Sequence, residues 1–543
     1  MRLSGSNYKR MYDGFRWRLP MRYNLATDLI DRVAFSAPNA VGLICETEDG
    51  QVHNYNFARL RALASRTANT FAALGARPGD CVAAVLNQSL EALLVHLGCW
   101  RAGVVSVPIS ISVDEEALAA RLEASDARII VTDSIRYPKV AEIRERLSEP
   151  VQVLLIDGGE AGSMDFHALL AKASESHTAA DTTLDDLAFL SFTSGSTGQP
   201  KGVAFGHRML PGHLPGFMFA YEHFGQPEDL CWTPADWAGG GGLSMSLMQG
   251  LWFGKPVVAF RADGAFDPER AFATMVKHGV RNLFAMPTMI NLLRQAKVPD
   301  EVRLRSFISA GEAVGAELDE WSRASLGIHL NAVYGQSEAN FLLAHVPAFM
   351  KAKPGSMGLP VPGYEIGVID NDGNPLPDGA TGQLALKRPH PVMMLYYWND
   401  EAGTQRRYAG DWLLTGDMVY RDEEGYYWYR GRPEDMIRTA VGSVAPFSVE
   451  EAFTCHPLIA VAAAIGIPVD AGEQTIKVFV QPTSGTKINA DAAVEVEKFA
   501  RERLAATLMP RTIEFVEALP LTPTSKVARR VLRERERGRF TKT

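Results

Sequence analysis

Up to about residue 350, short apolar runs alternate with longer stretches of helical spacing. CVAAVL (Cys81 to Leu86) reads as a buried strand, and Leu90 to Arg101 places its apolar residues on a helical period. VVSVPI (Val104 to Ile109), RIIVTD (Arg128 to Asp133) and VQVLLID (Val151 to Asp157) repeat the strand signal, separated by a helix over Asp114 to Ala124 and a charged helix. LAFLSFT, PVVAF, NLFAMP, SFISAG and HLNAVYG continue the rhythm, and Asp267 and Pro268 open a helix as cap and first-turn residue. The alternation predicts doubly wound, largely parallel sheets covered by helices.

The pattern changes after Pro354. NDG at Asn371, PDG at Pro377 and DEEG at Asp422 are turn signals between alternating segments such as GQLALK and YYWYRG, which predicts a small antiparallel β subdomain over about residues 355–430. From Gly431 on, the chain reads as α+β: a helix around Val449 to Thr454, strands AVAAAIGI and TIKVFV, a long helix over Ala490 to Leu508, and the strand TIEFVEAL. The predicted organisation is a large N-terminal α/β domain over 1–430, β subdomain included, and a small C-terminal domain over 431–543, with the boundary near Arg430 to Pro433.

Composition narrows the class. With 46% hydrophobic and 22% charged residues in 543, the chain is globular rather than disordered. A net charge of −8 gives no basic field for nucleic acid, although the tail from Lys526 to Thr543 holds eight basic residues against Glu534 and Glu536. Cys45, Cys81, Cys99, Cys231 and Cys455 include no C-x-x-C pair, which fits a reducing compartment better than a disulfide framework or a zinc ribbon. No uncharged apolar run reaches membrane-spanning length, and the N-terminus is too charged for a secretory signal, so the expectation is a cytoplasmic enzyme without an integral membrane segment. H-E-x-x-H and G-x-S-x-G are both absent, which removes the motif support for a zinc or serine hydrolase.

The strongest local signal is TSGSTGQPKG, directly after the strand LAFLSFT. Glycines at 195, 198 and 202 let a backbone approach a ligand closely. The hydroxyls of Thr193, Ser194, Ser196 and Thr197 add donors, and Lys201 adds a cation. That combination suits a polyphosphate. The spacing is neither a Walker A motif nor G-x-G-x-x-G.

TSGSTGQPKG resembles, at every position, the phosphate-loop motif of the adenylate-forming superfamily of acyl- and aryl-CoA synthetases, luciferases of the firefly type and peptide-synthetase adenylation domains. The resemblance runs from GARPGD (Gly75 to Asp80) to Lys526, and implies a large domain followed by a small mobile one. SAGEAV resembles the adenine-lining segment, which implies that Gly311, Glu312 and Ala313 border the base. NAVYGQSEAN resembles Y-G-x-T-E: Tyr334 would lie near adenine, with Gly335 and Gln336 beside it, Ser337 would touch phosphate, and Glu338 would hold Mg²⁺. WLLTGD resembles the ribose motif, with Asp417 accepting the diol, and Arg432 in GRPED resembles its ribose- and phosphate-contacting arginine. PLTPTSKVARR places Lys526 where family members carry the catalytic lysine.

The implied activity is ATP- and Mg²⁺-dependent activation of a carboxylic acid to an acyl-adenylate, with catalytic roles for Lys526, Lys201 and Glu338, followed by transfer to CoA. The alternatives are transfer to an amine or a carrier-protein thiol, or an impaired nucleotide-binding paralogue. Family members restricted to acetate carry Trp at Gly335, and many have an aromatic gate at Gly239. Trp237, Gly239 and Gly335 are therefore candidate acid-binding positions, and the implied acid is medium-chain, branched or aryl. The chain departs from the family pattern at Val441, Ser443 and Ser525, and carries Glu434 at the hinge position.

Overall fold

The structure is a computed structural model. It describes residues 3–194, 200–312, 314–433, 435–439, 442–469, 473–483, 486, 488–521 and 527–540. Two large sheets form the bulk of the molecule. In the first, Cys81–Ala84, Val105–Pro108, Ala127–Thr132, Gln152–Leu155 and Met164–Asp165 are mutually parallel, and Leu187–Ser194 joins them alongside Val105–Pro108. In the second, Val41–Glu46, Val257–Ala259, Cys231–Trp232, Asn282–Phe284, Ser306–Ala310 and Leu330–Gln336 run parallel.

The fold is α/β as the sequence predicts, but the sheet edges are antiparallel. Val52–Asn56 closes one edge of the second sheet, and Asn340–His345 and Leu359–Pro360 close the other. In the first sheet Leu187–Ser194 turns back antiparallel into Pro200–Gly206, which Tyr396–Tyr397 follows. The glycine-rich stretch therefore joins two arms of a hairpin, and Lys201 on the return arm pairs with Thr193.

Two helices are buried nearly all round, as a helix covered on several sides must be. Leu90–Ala102 is capped by the Ser89 hydroxyl, which accepts from Ala92 N–H at 3.1 Å, and ends on Gly103 in the left-handed region. Met209–Ala220 is buried at every position. It lies so close to the strand Asn340–His345 that a Cβ on Gly216 would stand 2.7 Å from the Phe341 ring.

Ile366–Ile369, Gly382–Lys387, Trp412–Arg421, Tyr408–Ala409 and Tyr427–Gly431 build the antiparallel β subdomain. The small C-terminal domain has a three-stranded sheet, Ile459–Pro468, Gln474–Pro482 and Thr512–Phe515. Its helices are Pro446–Thr454, Ala490–Arg501 and Arg529–Phe540. The helix predicted to reach Leu508 stops at Arg501. Ala505 takes an extended conformation (φ −58°, ψ 147°), and only a short 3₁₀ turn, Ala506–Leu508, follows.

Arg529 opens the C-terminal helix and is fastened to Glu450 by three hydrogen bonds of 2.7–3.0 Å, while Glu450 also accepts from Ala464 N–H at 2.8 Å. Glu450→Ala removes the counter-charge of a guanidinium that stays a quarter exposed. The expected cost is about 2–3 kcal/mol, below that of a fully buried pair, read as a lowered midpoint in chemical denaturation. The five cysteines are all free, and no helix among the described residues is long and apolar enough to cross a membrane.

Candidate active site

The strand Trp412–Arg421 alternates buried and half-buried positions, and Asp417 falls on its buried face. A carboxylate there must be satisfied by donors. Tyr334 OH donates to Oδ2, Arg432 Nε donates to Oδ1 at 2.8 Å, and Tyr429 OH approaches Oδ1 at 3.4 Å. Burial and the Asp417 charge push the Tyr334 phenol well above its ordinary pKa, so it remains a donor at any working pH. Asp417 N–H is turned onto Thr415 Oγ1 at 3.2 Å.

Tyr334 belongs to Leu330–Gln336, which pairs with Asn340–His345 and carries Ser337, Glu338 and Ala339 in the connecting turn. Ser337 is exposed. Glu338 is mostly buried, accepts from Tyr397 OH, and stands 3.8 Å from Arg407 Nη2. Arg407 also donates to Gln336 Oε1 at 2.9 Å. Lys201 Nζ lies 5.3 Å from the centre of the Tyr397 ring, within cation–π range. Thr193 and Lys201, the turn bearing Glu338, and Asp417 with Arg432 are thus linked through Tyr397, Arg407 and Tyr334.

Gly311 and Glu312 follow the strand Ser306–Ala310. Glu312 Oε1 accepts from Val527 N–H at 3.4 Å, so the backbone next to position 526 meets the segment that follows the strand Ser306–Ala310. Gly195, Ser196, Thr197, Gly198, Ala313, Glu434, Val441, Ser525 and Lys526 lie outside the described residues, as do the side chains of Ser194 and Ser443. Trp237 is buried, with an indole N–H that finds no partner among the described residues. Gly239 caps the short helix Gly240–Gly242.

Gly335 has a backbone reason to be glycine. An added Cβ would stand 1.6 Å from the carbonyl oxygen of Asn340, where the hairpin register shifts. The residue therefore does not by itself report on room for the acid. Gly335→Ala is expected to cost about 1–3 kcal/mol in denaturation midpoint experiments. Its activity loss should be uniform across acids, with no shift of preference toward shorter ones.

Tyr397, Tyr429 and Arg407 escape the motif reading. Tyr429 had one available signal: it lies on the strand leading to Arg432 and points to the same carboxylate. Tyr397 and Arg407 reach Glu338 only through tertiary folding.

These residues suit a divalent cation held jointly with a nucleotide. Among the described residues no cluster of three or more His, Cys, Asp or Glu could hold a metal alone. A single carboxylate completed by phosphate oxygens and water is the arrangement Mg²⁺ favours.

Comparison with known proteins places the chain. It matches the AMP-binding enzyme family over residues 30–398 and the AMP-binding enzyme C-terminal domain over residues 448–526. It is 31% identical to an acetyl-coenzyme A synthetase of Bacillus subtilis, covering 97% of this chain and 94% of that one. It is 30% identical to an uncharacterized acyl–CoA ligase of the same organism, YtcI, over 95% of this chain and 97% of that one. Among solved structures it resembles the anthranilate CoA ligase AuaEII in complex with anthranoyl-AMP, with a TM-score of 0.86, 25% identity, and 95% and 98% of the two chains covered. The chain belongs to the AMP-binding enzyme family and is an AMP-forming ligase of the acyl-CoA synthetase type.

Proposed function

We propose that the protein converts a medium-chain, branched or aryl carboxylic acid to its acyl-adenylate and passes the acyl group to CoA. The observation that carries this reading is the buried Asp417 carboxylate, fixed by Tyr334 and Arg432 and connected through Tyr334's own strand to Glu338. A carboxylate so held accepts both hydroxyls of a ribose.

In the first half-reaction a carboxylate oxygen attacks the α-phosphorus, and pyrophosphate leaves with the bonding pair. Both partners are anions, so alignment and cations supply the rate. Lys201 and the hydroxyls from Thr193 to Thr197 hold the leaving phosphates. Lys526 balances charge between the carboxylate and the α-phosphate. Glu338 would hold Mg²⁺, which when bound neutralises charge on the phosphate oxygens. Glu338 itself is aimed by Tyr397 and Arg407. In the second half-reaction the thiol of CoA attacks the acyl carbon, AMP leaves, and the thiol proton passes to solvent.

Gly239, where many family members carry an aromatic gate, supports an acid larger than acetate. Gly239 is half-buried and Gly240 exposed, while a Cβ on Gly241 or Gly242 would stand 2.9 Å from the Phe284 ring or 2.3 Å from the Asp236 carbonyl oxygen. Apolar pockets separate neighbouring chain lengths by only about 1–3 kcal/mol per methylene, so a range of acids is expected. The test is acid-dependent pyrophosphate release over a panel from acetate to octanoate and substituted benzoates, with and without CoA. Turnover of larger acids with acyl-CoA as product is the expected result. Acetate as the best substrate overturns the size assignment, and adenylation without acyl-CoA overturns the acceptor.

A further inference from the structure

We propose that Arg407 is a catalytic residue that binds the α-phosphoryl group, and that it does so in both half-reactions. The proposal rests on the nucleotide site described above. The Arg407 side chain is four-fifths buried and bridges the two halves of that site. Its Nη2 donates to Gln336 Oε1 at 2.9 Å and to Thr415 O at 3.4 Å, and lies 3.8 Å from Glu338 Oε1. Its Nη1 stands 3.6 Å from the point a Cβ on Gly416 would occupy, and Gly416 directly precedes Asp417.

A nucleotide with its ribose on Asp417 and its terminal phosphates toward Lys201 and Glu338 must carry its α-phosphate between them, and the guanidinium occupies that interval. Its charge is poorly matched by protein. Among the described residues Glu338 is the one carboxylate within salt-bridge range of it, and that same oxygen already accepts from Tyr397 OH. Nε is buried without a partner among the described residues, and no bond from Nη1 is recorded there. A buried guanidinium with unspent donors is an anion site, and its planar fork suits a phosphate.

Arg407 lies in the large domain, whereas Lys526 lies in the small one. Rotation of the small domain between half-reactions would carry the lysine away and leave the arginine in place. Arg407 therefore holds the α-phosphate when pyrophosphate departs and again when AMP is the leaving group.

The test compares AMP with adenosine by calorimetry in EDTA, so that neither Mg²⁺ nor Glu338 ligation enters. The proteins are wild type, Arg407→Ala, Arg407→Gln and Arg407→Lys, each checked by thermal melting; the glutamine variant serves where alanine fails to fold. AMP affinity is expected to fall ~10–100-fold in the alanine and glutamine variants. Adenosine affinity should stay unchanged, with lysine intermediate. Pyrophosphate release and thioester formation from supplied acyl-adenylate should both drop by about 10²-fold. Equal losses for AMP and adenosine show that Arg407 merely props the ribose pocket, and unchanged AMP affinity removes it from the phosphate; either result overturns the proposal. Wild-type protein that binds neither compound overturns the nucleotide site itself.

Discussion

Lys526→Ala is expected to slow acyl-adenylate formation by ~10²–10³-fold, the usual cost of removing one preorganised contact to charge that develops in the transition state. ATP binding should remain nearly intact, because Asp417, Arg432 and Lys201 all lie elsewhere. Thioester formation from supplied acyl-adenylate should also persist. The reason is electrostatic: two anions must meet, and a cation placed between them lowers the barrier more than it strengthens binding of either ground state. The neighbouring Val527 N–H reaches Glu312 Oε1 at 3.4 Å, and Val527 bridges to Leu521. The check is acid-dependent pyrophosphate exchange beside calorimetric ATP binding. Exchange at the wild-type rate would remove Lys526 from the chemistry.

Asp417→Ala is expected to weaken AMP and ATP binding by about 100-fold or more, since it deletes the carboxylate proposed to accept two ribose hydroxyls. The same change should destabilise the empty protein. Tyr334 OH and Arg432 Nε both donate to this carboxylate. A buried donor left without its partner costs about 1–3 kcal/mol. Arg432 is exposed enough to find water and Tyr334 is half-buried, so the expected penalty lies at the low end, about 1 kcal/mol. Asp417→Asn keeps an acceptor oxygen and should fall between the two. Calorimetric titration with AMP and a denaturant midpoint read the two effects separately. Wild-type affinity in the alanine variant would sink the ribose assignment.

The parallel cores were legible because their strands are continuous apolar runs and their helices carry clear caps: Ser89, Asp114 and Asp267 all accept from first-turn amides. The antiparallel edges were not. Val52–Asn56 is exposed along much of its length and shows no apolar signal. Tyr396–Tyr397 is a two-residue strand whose pairing is decided by a partner nearly two hundred positions away. Separations of 59 and 71 positions from Glu338 and Gln336 likewise hide Tyr397 and Arg407 from any local motif. Gly335 teaches the opposite lesson. Its place in Y-G-x-T-E invites a statement about pocket volume, whereas the main chain at Asn340 leaves no space for a side chain unless the turn shifts.

That close approach bears on redesign. Retargeting this enzyme to a smaller acid by planting a bulky ring at 335, as the acetate-restricted pattern suggests, would push against the main chain at Asn340, where even a Cβ stands 1.6 Å from the carbonyl oxygen. The turn also bears Glu338, the carboxylate proposed to hold Mg²⁺, so on that proposal a specificity change sought there would arrive coupled to a loss of phosphate chemistry. Bulk at Gly240, which is exposed and free of backbone conflict, would be tolerated, whereas a Cβ on Gly241 would stand 2.9 Å from the Phe284 ring and one on Gly242 2.3 Å from the Asp236 carbonyl oxygen, so a search for altered acid choice that spares the nucleotide half of the site belongs at 239 and 240.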